Sequence, residues 1–174
     1  SIYNRGLGAV EYDDLKSFQW YIKAAEQGMI QAQFCVGRDY NYGDVDILEI
    51  EEENKTQEML KWYEKAAEQG HVGAKESLYR HFSCLAEDGY TMAQIRVSEM
   101  YENGQGVEKD QKKAAYWRLR AREDQENSDD QYTLGNMYFY EFWNKKKAIE
   151  CYTKAAEQNH VEAQLILGSL YLKG

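Results

Sequence analysis

The stretch KWYEKAAEQGHVGA, from Lys61 to Ala74, decides the fold because the chain repeats it. The pattern returns as WYIKAAEQGMIQA from Trp20 to Ala32 and as CYTKAAEQNHVEA from Cys151 to Ala163. A weaker copy, CLAEDGYTMA, runs from Cys84 to Ala93. Self-similarity at intervals of a few tens of residues is typical of a repeat protein, in which each unit buries its apolar face against its neighbours.

Each unit is predicted to contain two helices. The B helix carries the KAAE segment and ends where a Gly or Asn adopts the left-handed conformation at low cost. The A helix follows, as in AQFCVGRDY from Ala32 and AQIRVSEMY from Ala93, with apolar residues four apart on one face. The predicted stops of the B helices are Gly28, Gly70, Gly89 and Asn159, and Gln125 takes this position in one copy.

Two positions in these helices predict close packing. Three glycines share one position of the A helix, where glycine is costly, so we expect two helices to cross closely there. Each B helix has a large aromatic residue eight places before its stop, except that His81 and Cys151 replace it in two copies. Cys151 leaves room where a tryptophan is missing. The three glycines are Gly37, Gly135 and Gly168, and the aromatic residues are Trp20, Trp62 and Trp117.

The units differ most in the connection from the A helix to the B helix. One connection is lengthened by the carboxylate-rich segment DILEIEEEN, from Asp46 to Asn54. This segment is either an ordinary solvated surface or an attractive surface for a basic partner. A second irregularity covers residues 73–88, which are too few for two full helices, so we expect one helix or two very short ones.

The pattern resembles the Sel-one-like repeat family, which is related to the tetratricopeptide repeats. The best matching stretches are YENGQGVEKDQKKAAYW, from Tyr101 to Trp117, and the segment from Tyr3 to Gly28. The resemblance implies an all-α, right-handed superhelical α/α solenoid of about four and a half helix pairs. A plain tetratricopeptide array is the competing interpretation, but the variable loops and the tryptophan on the second helix favour the first family.

We therefore expect a single repeat domain over residues 1–174, as part of a longer repeat protein. Its units are predicted at residues 1–28 (partial), 29–70, 71–89 (short and degenerate), 90–125, 126–159 and 160–174 (partial).

For function, the resemblance implies a non-enzymatic scaffold or adaptor that binds a protein or peptide, mainly through a concave surface lined by A helices. The alternatives are a small-ligand-binding or hydrolytic, penicillin-binding-like repeat protein, and a purely structural spacer. A cysteine-rich branch of the family is linked to penicillin-like ligands. This chain lacks the paired cysteines of that branch, so we do not transfer that activity.

Net charge, apolar runs and cysteine count limit the partners and environments that the sequence suits. A formal charge of −9 disfavours nucleic acid and anionic membranes and favours a basic partner. No apolar run approaches the roughly 18 to 20 residues that span a bilayer, so we expect no membrane insertion. No signal peptide is visible, and both the cytoplasm and the bacterial periplasm or exterior stay open as compartments. The three cysteines, Cys35, Cys84 and Cys151, are expected to be buried and free.

Catalytic chemistry has no sequence support. The chain contains no CxxC, no HExxH and no nucleophile elbow, and nothing selects a pair among its carboxylates. His71 and His160 occupy the same repeat position after the B-helix stop, which favours a structural role over metal binding. We expect no catalytic residue, no cofactor and no metal.

The candidate binding residues form two ladders along the A helices. Apolar anchors rimmed by polar groups suit a peptide partner, although the apolar ladder has the alternative role of packing neighbouring A helices together. The apolar ladder is Phe34, Ile95, Tyr132 and Leu165, and the polar ladder is Arg38, Glu99, Asn136 and Ser169.

A second candidate surface is the aromatic cluster FYEFW, which includes Phe142 and Trp143 and precedes three lysines, Lys145 to Lys147. Loop tryptophans are often exposed and often bind partners. The alternative, which we favour at this point, is that Trp143 folds back over the core beside Cys151.

Overall fold

The structure, a computed structural model, describes residues 14–42, 52–122 and 127–173. These residues form nine α-helices and no strand, which confirms the all-α class. Residues 1–13 of the first unit and 46–51 of the carboxylate-rich insertion lie outside the described residues. The helices are α1 (Asp14–Glu26), α2 (Ile30–Tyr42), α3 (Glu52–Glu68), α4 (Val72–Glu87), α5 (Thr91–Asn103), α6 (Gln111–Arg120), α7 (Ser128–Tyr140), α8 (Lys145–Glu157) and α9 (Val161–Lys173).

The helices pack mainly on their neighbours along the chain, in two compact units, Ser1–Leu78 and Tyr79–Gly174. In the first unit α2 packs on both α1 and α3. In the second unit α5 packs on α6, and α8 packs on both α7 and α9. The B helices are α1, α3, α6 and α8, and the A helices are α2, α5, α7 and α9.

The short unit is built from one helix, because α4 runs without interruption from Val72 to Glu87. This settles the choice between one helix and two for residues 73–88. The start of α4 has the sequence of an A helix, and its end has that of a B helix. The boundary between the two compact units falls inside it, after Leu78.

The predicted stops of the B helices are confirmed at four positions, and the fifth, Gln125, lies outside the described residues. Gly28, Gly70 and Gly89 have φ values of 88°, 94° and 95°, and Asn159 has φ 64°. A glutamine, which the sequence analysis did not identify, fastens the following A helix to three of these ends and is buried in the first two. The Nε2 of Gln33 donates to the carbonyl of Ala25 at 3.2 Å, and other copies repeat this bond from Gln94 to Ala86 and from Gln164 to Ala156.

Close helix crossing is confirmed at two of the three glycines. A Cβ added to Gly37 would lie 2.6 Å from the Tyr63 ring, and one added to Gly135 would lie 2.7 Å from the Tyr152 ring. Gly168 has no such neighbour within 4 Å. Glycine at this position therefore makes room for the tyrosine of the following B helix.

The third copy of this pairing supports the same explanation. Ser98 stands at the glycine position of α5, and the tyrosine position of α6 holds Arg118 instead. Arg118 turns outward and pairs with Glu102 at 2.7 Å. Without a ring to accommodate, the A helix tolerates a larger residue than glycine.

His71 and His160 begin the helices α4 and α9. The backbone N–H of Ala74 donates to Nδ1 of His71 at 3.1 Å, and that of Ala163 donates to Nδ1 of His160 at 3.3 Å. These bonds satisfy an N–H group that the first turn of a helix leaves without an intrahelical partner. The structural role expected for the two histidines is confirmed. Asn127 does the same at the start of α7 with its side-chain oxygen.

The burial predicted for the B-helix tryptophans and for the cysteines is found at most of these positions, but not at all of them. Trp62 and Trp117 are each 5 % exposed, whereas Trp20 on the first described helix is 67 % exposed. All three cysteines are free, but Cys84 is exposed, so its predicted burial is wrong. The reason is that Cys84 points away from the α4 face that carries Leu85 and Ala86 into the core.

Replacing Gly135 with alanine tests the close crossing. The added methyl group overlaps the Tyr152 ring, so we expect a net loss of about 1–2 kcal/mol in unfolding free energy despite the better helix propensity of alanine. Gly168→Ala is the matched control, and we expect it to gain up to about 1 kcal/mol because nothing obstructs its methyl group. Urea unfolding of both variants measures this, and equal effects would contradict the packing argument.

Replacing His160 tests the histidine cap. His160→Ala removes the acceptor for the Ala163 N–H, so we expect a loss of about 1 kcal/mol in unfolding free energy. His160→Asn keeps a cap of the kind that Asn127 provides and should retain more of that stability. Chemical denaturation compares the two, and the cap is unimportant if asparagine and alanine cost the same.

Candidate functional site

The four residues of the apolar ladder occupy corresponding positions on four A helices, but they differ in exposure. Ile95 on α5 is 38 % exposed and Leu165 on α9 is 71 % exposed. Phe34 on α2 and Tyr132 on α7 are half-buried. Phe34 lies in the first compact unit and the other three lie in the second, so a single continuous ladder stays a prediction.

Phe34 and Tyr132 are half-buried because each ring stacks on a histidine. The ring centroids are 4.3 Å apart for Phe34 and His71 and 4.5 Å apart for Tyr132 and His160. The tyrosine of the following B helix, Tyr63 or Tyr152, also lies close to each ring. These two ladder residues therefore hold neighbouring helices together, as the packing alternative expects, and expose only part of each ring.

The sequence contains a signal for this stacking that the sequence analysis missed. Histidine occurs at the start of an A helix only where the preceding ladder residue is aromatic, as in the two pairs above. Ile95 is followed by Asn127 at that position, which caps the helix without stacking. Aromatic rings gain about 0.5–1.5 kcal/mol from such pairs beyond the area they bury, so the residues depend on each other.

The outer nitrogen of each stacked histidine faces a polar side chain. Nε2 of His71 lies 3.3 Å from Oε1 of Gln31, and Nε2 of His160 lies 3.3 Å from Oδ1 of Asp129. Because Nδ1 accepts the capping bond, the proton of the neutral ring resides on Nε2 and points at these oxygens. The imidazoles are thereby fixed as walls of the ladder and are not arranged to bind a metal ion.

The polar ladder is engaged in local interactions. Arg38 pairs with Asp39 at 3.2 Å, and Glu99 lies 3.5 Å from Arg96, in both cases at the exposed surface. Exposed pairs of this kind add little stability, so both charges remain accessible to a partner.

The other two members are held more tightly. Oδ1 of Asn136 accepts a hydrogen bond of 2.9 Å from the Tyr152 hydroxyl. Burial raises the pKa of Tyr152 to about 12, so this hydroxyl stays a donor at neutral pH. Ser169 donates to the carbonyl of Leu165 within α9 at 2.9 Å. Asn136 therefore links α7 to α8 through its oxygen, whereas the bond of the exposed Ser169 stays within its own helix.

The prediction that Trp143 folds back over the core is wrong, because Trp143 is 81 % exposed. Phe142 makes the inward contact instead, with its ring centroid 4.6 Å from that of Tyr116. The turn between α7 and α8 is too short to direct two consecutive aromatic residues to the same side. It packs the first, which stays 41 % exposed, against Tyr116 and leaves the second almost wholly in solvent.

Trp143 also has a costly backbone conformation, with φ 52°. It stands five residues after Tyr138, and Gly106, with φ 75°, stands five residues after Tyr101 in the equivalent turn. A left-handed conformation costs a residue with a side chain about 1–2 kcal/mol. The chain thus keeps the turn while placing an exposed indole where glycine would be less strained, and such positions are typical of binding surfaces.

The described residues were compared with two kinds of site, a cluster of metal-ligating side chains and a helix that spans a membrane. Within residues 14–42, 52–122 and 127–173 there is no cluster of three His, Cys, Asp or Glu residues able to hold a metal ion. None of the helices described is both long enough and apolar enough to cross a bilayer.

Two solved structures are similar to this chain in sequence. A solved Sel1 repeat protein from Oxalobacter formigenes is 30 % identical over 91 % of this chain and 50 % of its own, with a TM-score of 0.32. A protective antigen of uropathogenic Escherichia coli that displays an SLR fold is 31 % identical over 92 % of this chain and 38 % of its own, with a TM-score of 0.34. The chain thus spans half or less of the length of these two relatives.

The comparison with curated proteins found no match. The family model described as "Sel1 repeat" matches residues 1–29, 60–71, 91–123, 128–160 and 161–174, which together make up more than half of the chain. The stretch it leaves unmatched between residues 72 and 90 contains α4, the single helix of the short unit. The chain therefore belongs to the Sel1 repeat family.

Proposed function

We propose that the chain is a non-enzymatic scaffold that binds a protein or peptide through exposed apolar residues of its A helices and through Trp143. The observation that carries the proposal is the exposure of Ile95 and Trp143, whereas Phe34 and Tyr132, at the repeat position of Ile95, are half-buried. Large exposed apolar and aromatic side chains are suitable anchors for a partner. Sel1 repeats are commonly protein-interaction modules, which agrees with this role.

The partner is expected to be basic around its apolar contacts. The chain carries 30 acidic and 21 basic side chains, which gives its net charge of −9. Complementary charge increases the rate of association and selects among partners more than it adds to affinity. Glu99, exposed beside Ile95 on α5, is a suitable contact for a lysine or arginine of the partner.

The hydrolytic alternative receives less support. It requires two carboxylates that converge in a pocket, one as acid and one as base or nucleophile. The cavity that the structure describes in the second unit contains a single carboxylate, that of Glu150, among basic residues. Sel1 repeat proteins are also generally non-catalytic scaffolds.

The stacked residues are poor positions for testing the proposal. Aspartate at Phe34 or Tyr132 would disrupt the contact with His71 or His160 and destabilise the fold, so a loss of binding would be ambiguous. Ile95 and Leu165 are exposed and can be changed without removing core packing.

A random peptide library displayed on phage and selected against the purified chain provides defined probes. We expect selected peptides to combine apolar and basic residues, and to bind Ile95→Asp and Leu165→Asp at least tenfold more weakly, as measured by calorimetry. Trp143→Ala should also weaken those peptides that use the turn.

Tyr171→Asp is the matched control for Leu165→Asp. Tyr171 is 73 % exposed on the same helix, but it projects about 120° around the axis from Leu165. Peptides that lose as much affinity with Tyr171→Asp as with the ladder variants, or a selection that enriches no peptide, would contradict the proposed surface.

A further inference from the structure

The side chain at the tryptophan position of a B helix packs into the helix pair that precedes it. Trp62 of α3 lies in a cluster with residues of α1 and α2, and Tyr40 packs against that cluster. Trp117 of α6 lies in a cluster with residues of α4 and α5, which includes Tyr101. Tyr40 and Tyr101 occupy the same repeat position, so each tryptophan fills an equivalent slot.

In the last of these slots the tryptophan is missing and a cavity takes its place. Cys151 of α8 stands at the tryptophan position, and Tyr138 of α7 stands at the position of Tyr101. Both line a cavity of about 190 Å³, and both are buried. The remaining lining residues are Arg120 of α6 and Lys147, Glu150 and Lys154 of α8.

The basic residue that accompanies each tryptophan is retained at this cavity. A cation lies three residues after every B-helix tryptophan and close to its ring. Lys154 stands three residues after Cys151, at the position of these cations, and lines the cavity. The distances from cation to ring centroid are 4.4 Å for Lys23 and Trp20, 4.4 Å for Lys65 and Trp62, and 5.5 Å for Arg120 and Trp117.

The cavity is positive in a strongly acidic chain. Three basic side chains surround it against the one carboxylate of Glu150. Lys147 lies with Nζ 5.4 Å from the centroid of the Tyr138 ring at the base. The Tyr138 hydroxyl is neutral at pH 7 and adds no negative charge, and burial raises its pKa further above the usual range.

The size and the walls of the cavity favour a flat ring with a negative group. The cavity opens to solvent between the exposed side chains of Lys147, Glu150 and Lys154. Its volume of about 190 Å³ exceeds that of an engineered cavity of about 150 Å³ that holds benzene, so one aromatic ring with a small substituent fits beside Tyr138. Lys and Arg stack on aromatic faces and also form strong hydrogen bonds with carboxylates. A ligand with both features contacts the Tyr138 ring and Cys151 with its ring and the basic side chains with its negative group.

We propose that this cavity binds an aromatic carboxylate, whose ring takes the place of the missing indole and whose carboxylate is held by Lys147, Lys154 and Arg120. The same chemistry is presented by a free aromatic acid and by a peptide that ends in an aromatic residue with a free carboxyl group. None of the lining residues belongs to either ladder, so this site and the proposed scaffold function can fail separately.

Calorimetry with indole-3-acetate as the probe tests the proposal on the whole chain. We expect saturable binding at one site, with indole-3-acetamide at least tenfold weaker because it lacks the charge. Inorganic phosphate should fail to displace the acid because it lacks the ring. Equal binding of the acid and the amide, or displacement by phosphate at equal concentration, overturns the assignment.

Variants locate the site. Cys151→Trp restores the residue that fills the equivalent slots, so we expect it to abolish binding while circular dichroism and the melting temperature show a folded chain. Lys154→Glu should weaken binding at least tenfold. This variant tests the site even if Cys151→Trp does not fold. Lys146→Glu is the matched control, because Lys146 is exposed on α8 and does not line the cavity. Unchanged binding in Cys151→Trp, or equal losses in the two lysine variants, overturns the proposal.

A last pair of probes separates the two sources of the ligand. A peptide that ends in tryptophan is compared with the same peptide amidated at its C terminus. Tighter binding of the free-carboxyl peptide than of indole-3-acetate assigns the site to a chain end, and the reverse order assigns it to a free acid. If neither the acid nor the peptide binds at millimolar concentration, the proposal is wrong.

Discussion

The structure depends on one packing interaction, the insertion of a large side chain from the B helices α3 and α6 into the helix pair that precedes each of them. Trp62 and Trp117 make this contact and are almost completely buried. A helix pair cannot bury its apolar face alone, so this side chain joins one repeat to the next. The glycine that admits a tyrosine ring, as at Gly135 and Tyr152, then sets how closely the two helices approach.

Variation at these contacts generates the surfaces proposed for binding. Where Cys151 replaces tryptophan, the packed slot becomes a cavity that retains its basic residue, Lys154. Where the turn between α7 and α8 is shortened, Phe142 covers the core and Trp143 is left in solvent. In both places a residue that departs from the repeat pattern creates an opportunity for binding, while the neighbouring packing keeps the backbone in position.

The repeat pattern alone predicts those features that recur. The helix stops, the glycine positions and the buried Trp62 and Trp117 follow from residues found at the same register in several copies. The stacking of Phe34 on His71 is predictable from the sequence, because a histidine begins the next A helix only where the ladder residue is aromatic. The signal is easily overlooked, since each histidine on its own is readily interpreted as an isolated residue. The hydrogen bond from Gln33 to Ala25 was missed because a buried glutamine has no apolar period to reveal it.

Features without a register could not be predicted in the same way. Adjacent aromatic residues in a turn, such as Phe142 and Trp143, have no periodicity that says which one points inward. Cys84 was predicted to be buried from its residue type, but its place on α4 exposes it. The cavity at Cys151 depends on whether the surroundings collapse after a side chain is lost, which follows from packing in three dimensions.

The most direct test of the packing account is to exchange the residues at two equivalent slots and measure thermal unfolding of Cys151→Trp and Trp117→Cys. The account predicts opposite effects: Cys151→Trp fills an existing cavity and raises the melting temperature, whereas Trp117→Cys empties a filled slot and lowers it, with a loss of up to about 3–5 kcal/mol. If Cys151→Trp lowers the melting temperature as much as Trp117→Cys does, the two slots are not equivalent and the account is contradicted.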